Sequence, residues 1–334
     1  MIDLAAQTSG LLTAKEARVG VGDSRALQRD AAAGRLVRIA HGAYVETDRW
    51  SSLLPRQRFV YRIAAAQRTA VRPIVFSHAA AAAPWGLPWW GAPPGLVEVT
   101  DPAARTSRAH RLTRVHALPL AGDVVDVDVD VDGGDGVGVH DGDSDFVEHL
   151  GVRLTSVGRT CADVLLDHRS LDATVVVDAA LHLELTDPVR IAAFLDRRPA
   201  ARAHARARRT LGACDPGADS AGESVSRVFV HGFGFPAPVL QQPWRDTFGL
   251  IGFTDMWWPD LGVIGEYDGD VKYLSDRWRR GRTPEQVVKD EKDREDRLRA
   301  LPEVRGFARW GTAELRSPDR LRATLLAAGL RPAT

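Results

Sequence analysis

The sequence predicts a multidomain protein that combines α+β and α/β segments. Helical and strand patterns alternate along most of its 334 residues, and this length suits two or three domains at about 150 residues each. Hydrophobic residues make up 44% of the chain and charged residues 26%, which is typical of a globular protein with a buried core. Three regions are expected, at residues 1–50, 51–200 and 215–330.

Charge and cysteine content restrict the functional classes. The formal net charge is zero, so contacts with nucleic acid have to come from local basic patches. The two cysteines, Cys161 and Cys214, are too few for a disulfide framework or a cysteine-based zinc site. Residues 1–12 contain no basic leader, and no apolar run approaches about 18 residues. We therefore expect a cytoplasmic protein that makes no membrane contact.

Residues 1–50 have the pattern of a small helical unit that closes on a β-hairpin. Thr13–Glu16 predicts a capping box before a short helix, and a second helix is predicted from Arg25 to Ala33. Leu36–Ile39 and Gly42–Val45 are predicted to form the two strands of a wing. This order is that of a winged helix-turn-helix, whose second helix enters the major groove. The alternative is a purely structural helical cap.

Basic and polar side chains on the second helix and the wing favour a nucleic-acid contact. They cluster on the elements that would face the DNA. The candidate DNA-binding residues in this region are Arg25, Gln28, Arg29, Arg35 and Arg38, with His41 beside them.

Residues 51–200 are predicted to form a mixed α/β domain. A helix at residues 56–68 and a buried strand at residues 73–76 precede an alanine-rich helix. Ser77–His78 resembles a catalytic pair only superficially, because adjacent side chains are expected to point apart. We expect Ser77 to cap that helix and His78 to lie in the core.

Two segments of this domain are predicted to be irregular. The arginines between Arg105 and Arg114 indicate a basic loop, and residues 123–145 form an acidic low-complexity insertion. Alternation of Val and Asp in the insertion suits an edge strand that continues into a loop. A calcium loop is disfavoured because Val139 stands where a bidentate Glu is required.

The stretch from Phe253 to Lys272 is predicted to form two strands joined by a tight turn at Pro259–Asp260. With a loop of two or four residues, Asp255 lies opposite Ile264 or Glu266. Side chains alternate along a strand, so Asp255, Glu266 and Asp268 are expected to share one face.

Three close carboxylates repel each other unless a cation lies between them. Asp255, Glu266 and Asp268 are therefore the predicted metal ligands, and oxygen ligands without Cys or His suit Mg²⁺ or Mn²⁺. Lys272 follows six residues after Glu266. A carboxylate-bound metal with a nearby lysine is equipment for phosphodiester cleavage. Alternatively, Asp268–Asp270 is a simple turn and Asp255 caps a segment or pairs with an arginine.

Further candidates flank this hairpin. Ser220–Glu223 reads as a helix capping box, and the functional alternative makes Glu223 a fourth catalytic carboxylate. A helix from Thr283 to Ala300 has (i, i+4) charge pairs that predict an exposed face. The basic loop between the hairpin and this helix suits a nucleic-acid backbone, and its candidate DNA-binding residues are Arg277, Arg279, Arg280 and Arg282.

Residues 219–316 resemble the Vsr-like endonuclease domain of the PD-(D/E)xK nuclease superfamily. The matching stretches are Glu223–Ser224 with Arg227, Phe253–Asp255, Glu266–Gly269 with Lys272–Tyr273, Glu291–Leu298, and Arg309–Trp310. The resemblance implies a restriction-endonuclease-like sheet flanked by helices and a catalytic set of Glu223, Asp255, Glu266, Asp268 and Lys272. Asp268 occupies the position of the superfamily's usual lysine, so Lys272 has to act from beyond the strand end.

Residues 1 to about 200 are similar to the AbiEi family of type IV antitoxins. The similarity rests on Gly42–Tyr44, Ser77–His78, Gly86–Pro88, and Arg159–Thr160 with Asp163. In that family the winged helix binds operator DNA and represses its own operon, and the rest of the protein counteracts a nucleotidyltransferase toxin.

Together these patterns predict a DNA-binding protein with a Mg²⁺- or Mn²⁺-dependent endonuclease domain, in a toxin–antitoxin or phage-defence setting. The alternative is an AbiEi-like repressor or antitoxin whose nuclease fold is inactive. A third possibility is a nuclease that cleaves RNA.

Overall fold

The computed structural model describes residues 2–19, 24–122, 125–126, 144–149, 151–269 and 283–333. The chain forms two compact units, Met1–Cys214 and Asp215–Thr334. Both combine helices with β-strands, which confirms the predicted mixed α/β class. The regions expected at 1–50 and 51–200 lie in the first unit, and the region expected at 215–330 lies in the second.

The first unit begins with short helices and a small antiparallel sheet. These elements are α1 (Leu4–Gln7), β1 (Leu12–Thr13), α2 (Ala14–Val19), α3 (Ser24–Ala32), β2 (Leu36–Ala40) and β3 (Ala43–Glu46). The predicted order of two helices and a hairpin is present, and the Thr13 hydroxyl accepts a hydrogen bond from the Glu16 amide at 3.2 Å. Strand β1, which the sequence did not predict, pairs with β3, so the sheet order is β1-β3-β2.

The rest of the first unit is a larger sheet covered by helices. Its helices are α4 (Thr47–Ser52), α5 (Pro55–Thr69), α6 (His78–Ala82), α7 (Val157–Asp167), α8 (Ser170–His182), α9 (Pro188–Asp196) and α10 (His204–Gly212). Its strands are β4 (Val75–Phe76), β5 (Val97–Thr100), β6 (Arg108–His110), β7 (Thr113–His116), β8 (Val125–Asp126), β9 (Phe146–His149) and β10 (Val152–Thr155). Within the described residues the strand order is β6-β7-β5-β4-β10-β9-β8.

Two sequence expectations for this region are wrong. Much of the segment expected to be a basic loop forms the antiparallel pair β6–β7, because its polar and basic side chains can lie exposed on a strand at the edge of the sheet. Ser77 makes no side-chain capping bond; its hydroxyl lies 2.9 Å from His78 Nδ1 instead. His78 is fully buried, as expected. Most of the acidic insertion, residues 127–143 with 123–124, lies outside the described residues.

The core of the first unit explains why α5 joins the small sheet to the large one. Tyr61, Ala64 and Ala65 pack with residues of β3, whereas Phe59 and Ile63 pack with the large apolar cluster that includes α7. Helix α5 thus buries one face against the small sheet and another face against the large apolar cluster. None of the helices in the described part of the chain combines the length and apolarity needed to cross a bilayer.

The second unit is a four-stranded sheet with helices. Its elements are α11 (Ala221–Gly232), β11 (Val239–Asp246), β12 (Gly249–Trp258), β13 (Val263–Asp268), α12 (Pro284–Arg299), β14 (Gly306–Gly311), α13 (Thr312–Leu315) and α14 (Pro318–Ala327). The order is β11-β12-β13-β14, antiparallel except for the parallel pair β13–β14. That parallel pair needs a crossover, and α12 lies in the connecting segment.

Helix α11 approaches the sheet closely at a glycine. A Cβ atom on Gly222 would lie 2.0 Å from Cε1 of Tyr267. One turn further, the Trp310 indole N–H donates to the Ser226 hydroxyl at 2.7 Å. The small residues on this face of α11 therefore set the helix-to-sheet distance.

We expect Gly222→Ala to destabilise the second unit by about 1–3 kcal/mol, because the new methyl group overlaps the Tyr267 ring. Gly232→Ala, on the same helix, has no heavy atom within 4 Å of its added Cβ and should be neutral or slightly stabilising. Urea unfolding of the full chain, followed by tryptophan fluorescence, compares the two. Equal unfolding midpoints for both variants would contradict the close packing of α11.

Candidate functional site

The first candidate site is the basic surface of α3 and the β2–β3 hairpin, here called the α3–wing surface. Its members are Arg25, Gln28, Arg29, Arg35, Arg38 and His41, and all six are exposed. On α3, positions 25, 28 and 29 fall on one helical face, while Leu27 is partly buried toward β2. The structure therefore presents the predicted DNA-binding residues of this region to solvent.

Local contacts orient the wing side chains. Arg38 donates to the Ala40 carbonyl at 3.3 Å, and its Nη2 lies 2.7 Å from His41 Nδ1. The β2–β3 register shifts between Arg38 and Ala40, and such a bulge re-aims the side chains beside it. Arg35 pairs with Asp30, so part of its charge is balanced within the surface.

The second candidate site is the carboxylate pair of β12 and β13. A four-residue turn at 259–262 joins the strands, and their last registered pair is Met256–Gly265. Asp255 and Glu266 are the next residues outward, which corresponds to one of the two registers the sequence allowed. The Tyr267 amide donates to Asp255 Oδ2 at 2.7 Å. This hydrogen bond fixes the Asp255 side chain against the backbone of the neighbouring strand β13.

Glu266 lies in a buried ion-pair network. It is 6% exposed, and its Oε1 lies 2.5 Å from Arg294 Nη2 of α12, while its Oε2 lies 3.0 Å from Arg309 Nη2 of β14. Arg309 is the registered neighbour of Glu266. Burial raises the pKa of Glu266, and Asp255 adds to that rise against the opposing effect of Arg294 and Arg309.

The network extends along α12. Arg309 also contacts Glu291 at 2.9 Å and Glu295 at 3.2 Å. Burial alone would lower the pKa of Arg309, but the neighbouring carboxylates outweigh that effect and raise it. Three elements, α12, β13 and β14, are thus joined by charge at one point.

Glu223 is held at the start of α11. It accepts from the Asp219 amide at 2.9 Å, from the Ser220 hydroxyl at 2.8 Å and from Gln241 Nε2 at 3.0 Å. Burial raises the pKa of Glu223 although these hydrogen bonds oppose the shift. The Glu223 amide in turn donates to the Ser220 hydroxyl at 3.2 Å, so the predicted capping arrangement is present.

The predicted metal ligands do not converge as one group. Asp268 ends β13 and is partly buried. Among the described residues, no three of Glu223, Asp255, Glu266 and Asp268 place oxygen atoms within 4.8 Å of one another. The structure brings Asp255 and Glu266 together as neighbours. The remaining predicted residues, Lys272, Arg277, Arg279, Arg280 and Arg282, lie outside the described residues.

Sequence reasoning missed the arginine partners of Glu266. Arg294 was expected on an exposed helix face, yet its guanidinium reaches Glu266 and the Phe253 carbonyl at 2.8 Å. Helical spacing predicts neighbours three or four residues away, whereas Glu266 is 28 positions distant. Only the parallel arrangement of β13 and β14 could have indicated Arg309.

The N-terminal region has a recognisable relationship. Residues 1–47 match the family described as transcriptional regulator, AbiEi antitoxin. No curated protein matches the chain. The predicted similarity is therefore confirmed for residues 1–47, and the similarities of the following region and of residues 219–316 remain predictions.

We expect the stability of a Glu266→Gln variant to rise, relative to the unmodified protein, as the pH increases from 4 to 7. The folded-state pKa of Glu266 lies above its unfolded value, so ionising it costs stability between the two pKa values, and Gln does not ionise. Urea unfolding at both pH values measures the trend.

Asp246→Asn is the matched control of opposite sign. Arg297 lowers the pKa of Asp246, so its stabilising effect is present above its unfolded pKa and is lost as the pH falls through the folded value. This variant should therefore lose relative stability as the pH rises. Parallel trends for both variants would contradict the arrangement around Glu266.

Proposed function

We propose that this protein is a DNA-binding transcriptional regulator of the antitoxin type, which contacts DNA through the α3–wing surface. The observation that carries the proposal is the coincidence of the family match over residues 1–47 with the exposure of Arg25, Gln28 and Arg29 on one face of α3. The fold of this region, two helices followed by a hairpin, supports a winged helix-turn-helix.

The dimensions and charges of the surface suit B-DNA. Helix α3 is about 13 Å long at about 1.5 Å per residue, and the major groove is about 12 Å wide. Arginine reads guanine edges or holds phosphates, and glutamine reads adenine. Arg38 on the wing would contact the DNA backbone beside the groove. Because the formal net charge of the chain is zero, this local patch has to provide the attraction.

A toxin partner is inferred from the antitoxin description of the matching family, and the type of toxin is inferred from the resemblance to AbiEi antitoxins. An antitoxin-type regulator of the AbiEi class implies a nucleotidyltransferase-type toxin as the protein it counteracts. A neighbouring reading frame for such an enzyme, and co-purification of its product with this chain, would support that partner.

We expect Arg25→Ala/Arg29→Ala to weaken binding to the DNA upstream of its own reading frame by at least about tenfold, since each base or phosphate contact is worth about 1–3 kcal/mol. Fluorescence anisotropy at several salt concentrations measures it. The slope of log K against log salt should become shallower by about 0.9 for each phosphate that the variant no longer neutralises.

Arg72→Ala provides the matched control, because Arg72 is an exposed arginine of the first unit outside the α3–wing surface. It should bind as the unmodified protein does. An affinity that is unchanged in the double variant would overturn the proposed contact surface.

A second candidate function is metal-dependent cleavage of phosphodiesters by the second unit. The observation that favours it is the adjacency of Asp255 and Glu266 within β12 and β13, next to the last registered pair Met256–Gly265. Their oxygen atoms have the chemistry of Mg²⁺ or Mn²⁺ ligands, and Lys272 would hold the attacking water. The metal would polarise the phosphoryl oxygen.

The arginines around Glu266 oppose this candidate. Arg294 and Arg309 each contact one oxygen of the Glu266 carboxylate and already balance its charge. Each carboxylate oxygen has a second lone pair, so an ion bound by Asp255 and Glu266 has to share the carboxylate with two guanidinium groups. The nuclease activity is therefore the second candidate function, after DNA-binding regulation.

If the second unit is a nuclease, Asp255→Asn and Lys272→Ala each lower Mg²⁺-dependent cleavage by at least about 100-fold. Purified protein is incubated with plasmid DNA, linear DNA and RNA in Mg²⁺, Mn²⁺ or EDTA. Asp246→Asn, on the same β11–β12 hairpin but paired with Arg297, should retain activity. Cleavage that survives in both site variants would exclude this assignment. Absence of cleavage by the unmodified protein would leave a regulator with an inactive second unit.

A further inference from the structure

Neither proposed function uses a group of titratable side chains inside the first unit. We call it the histidine cluster: His78, His116, His168, Glu98 and Asp167. Its members come from the β4–α6 junction, from β5 and β7, and from the end of α7. Glu98 is 2% exposed and His78 is fully buried, whereas Asp167 keeps 33% of its side chain exposed. The cluster is therefore a buried polar site with one opening toward solvent.

His78 is held in an unusual backbone conformation. Its φ angle is +51°, a left-handed value that is uncommon for residues other than glycine. The ring is oriented at both nitrogen atoms, with Nδ1 at 2.9 Å from the Ser77 hydroxyl and Nε2 at 2.9 Å from Asp167 Oδ2. Strained residues that are fixed in this way are concentrated at functional sites.

His116 contributes a buried nitrogen atom without a well-formed hydrogen bond. Its Nε2 lies 3.5 Å from Glu98 Oε1, and no described residue completes a hydrogen bond to it. The imidazole stacks on His78 with ring centroids 3.9 Å apart. A buried polar atom in this state is costly unless a ligand satisfies it.

In the described part of the chain, Glu98 has no basic side-chain partner other than histidine. It contacts the Ala79 amide at 3.2 Å, His168 Nε2 at 3.0 Å and His116. A carboxylate that is buried this deeply needs a compensating positive charge. Either a protonated imidazole or a bound cation can provide it.

We propose that His78, His116 and Asp167 form a binding site for a first-row divalent transition metal, of which Zn²⁺ is the best match. Two imidazoles and one carboxylate are a common set for such ions. One ligand atom from each of the three residues lies within 4.8 Å of the others. Ligand atoms of four-coordinate zinc lie about 3.4 Å apart for bonds of about 2.0–2.1 Å, so binding draws the three side chains together and rotates the two rings out of their stack.

The surroundings supply the outer contacts of such a site. Ser77 orients His78 through Nδ1, as hydroxyls commonly do around ligating histidines. Glu98 lies 3.5 Å from Nε2 of His116, the nitrogen proposed to bind the ion, so Glu98 adds negative charge beside the ion. Arg198 lies 3.4 Å from Asp167 Oδ2 and is the basic group that the ion has to displace or share with. Glu98 and Asp163 are the other acidic groups facing His78. The proposal is independent of the DNA-binding and nuclease assignments.

The test uses the full chain, stripped with EDTA and dialysed. Calorimetric titration with Zn²⁺ should give about one equivalent bound, Co²⁺ should produce visible absorption bands of a low-symmetry nitrogen–oxygen site, and Zn²⁺ should raise the thermal unfolding midpoint of the protein. His116→Gln and Asp167→Asn should each weaken Zn²⁺ binding by at least about tenfold.

Two controls keep the result interpretable. His110→Gln removes an exposed histidine of strand β6 and should bind Zn²⁺ like the unmodified chain. Circular dichroism checks that each variant is folded. If His116→Gln does not fold, the conservative Asp167→Asn variant provides the test. No Zn²⁺ uptake by the unmodified protein would overturn the proposal and assign charge balance to protonated histidine. Equal uptake by folded Asp167→Asn would overturn it as well.

Discussion

The second unit depends on the compensation of one buried carboxylate. Glu266 sits between Arg294 and Arg309, and these contacts join α12 to β13 and β14. Removing either partner of a buried ion pair leaves an uncompensated charge, which costs more than the pair itself contributes. The same contacts determine what the neighbouring Asp255 can do. Two carboxylates whose negative charge is already balanced by guanidinium groups bind a metal ion more weakly than two carboxylates without basic partners.

In the first unit, by contrast, histidines are partners of the carboxylates Glu98 and Asp167. Among the basic side chains in the described part of the chain, Glu98 contacts only imidazoles, whereas Asp167 contacts both His78 and Arg198. Histidine can be neutral, protonated or metal-bound near physiological pH. Burial alone would raise the pKa of both carboxylates. Contacts with His78 and Arg198 outweigh burial and lower the pKa of Asp167 to about 2, and contacts with His116 and His168 lower the pKa of Glu98. Both carboxylates are therefore ionised at neutral pH. The proposed cation is supported by the close approach of one ligand atom each from His78, His116 and Asp167 and by the buried Nε2 of His116.

The two units separate the tasks proposed for this protein. The α3–wing surface proposed to bind DNA lies on short elements at the start of the first unit. Helix α5 connects the small sheet of this unit with the large one through two apolar faces. The second unit adds a separate sheet with a charge network around Glu266.

Local signals in the sequence determined most of the secondary structure. Capping residues and hydrophobic periodicity located α2, α3, α5 and the β12–β13 hairpin, and helical spacing placed Arg25, Gln28 and Arg29 on one face, because these features act between residues close in the chain. The sequence also limited Asp255 to two registers. Tertiary structure alone decided that Arg294 and Arg309 hold Glu266 and that His78, His116 and Asp167 meet. Those contacts join residues 28 to 89 positions apart in the sequence. Local periodicity cannot predict which distant charged residues will contact each other in the core.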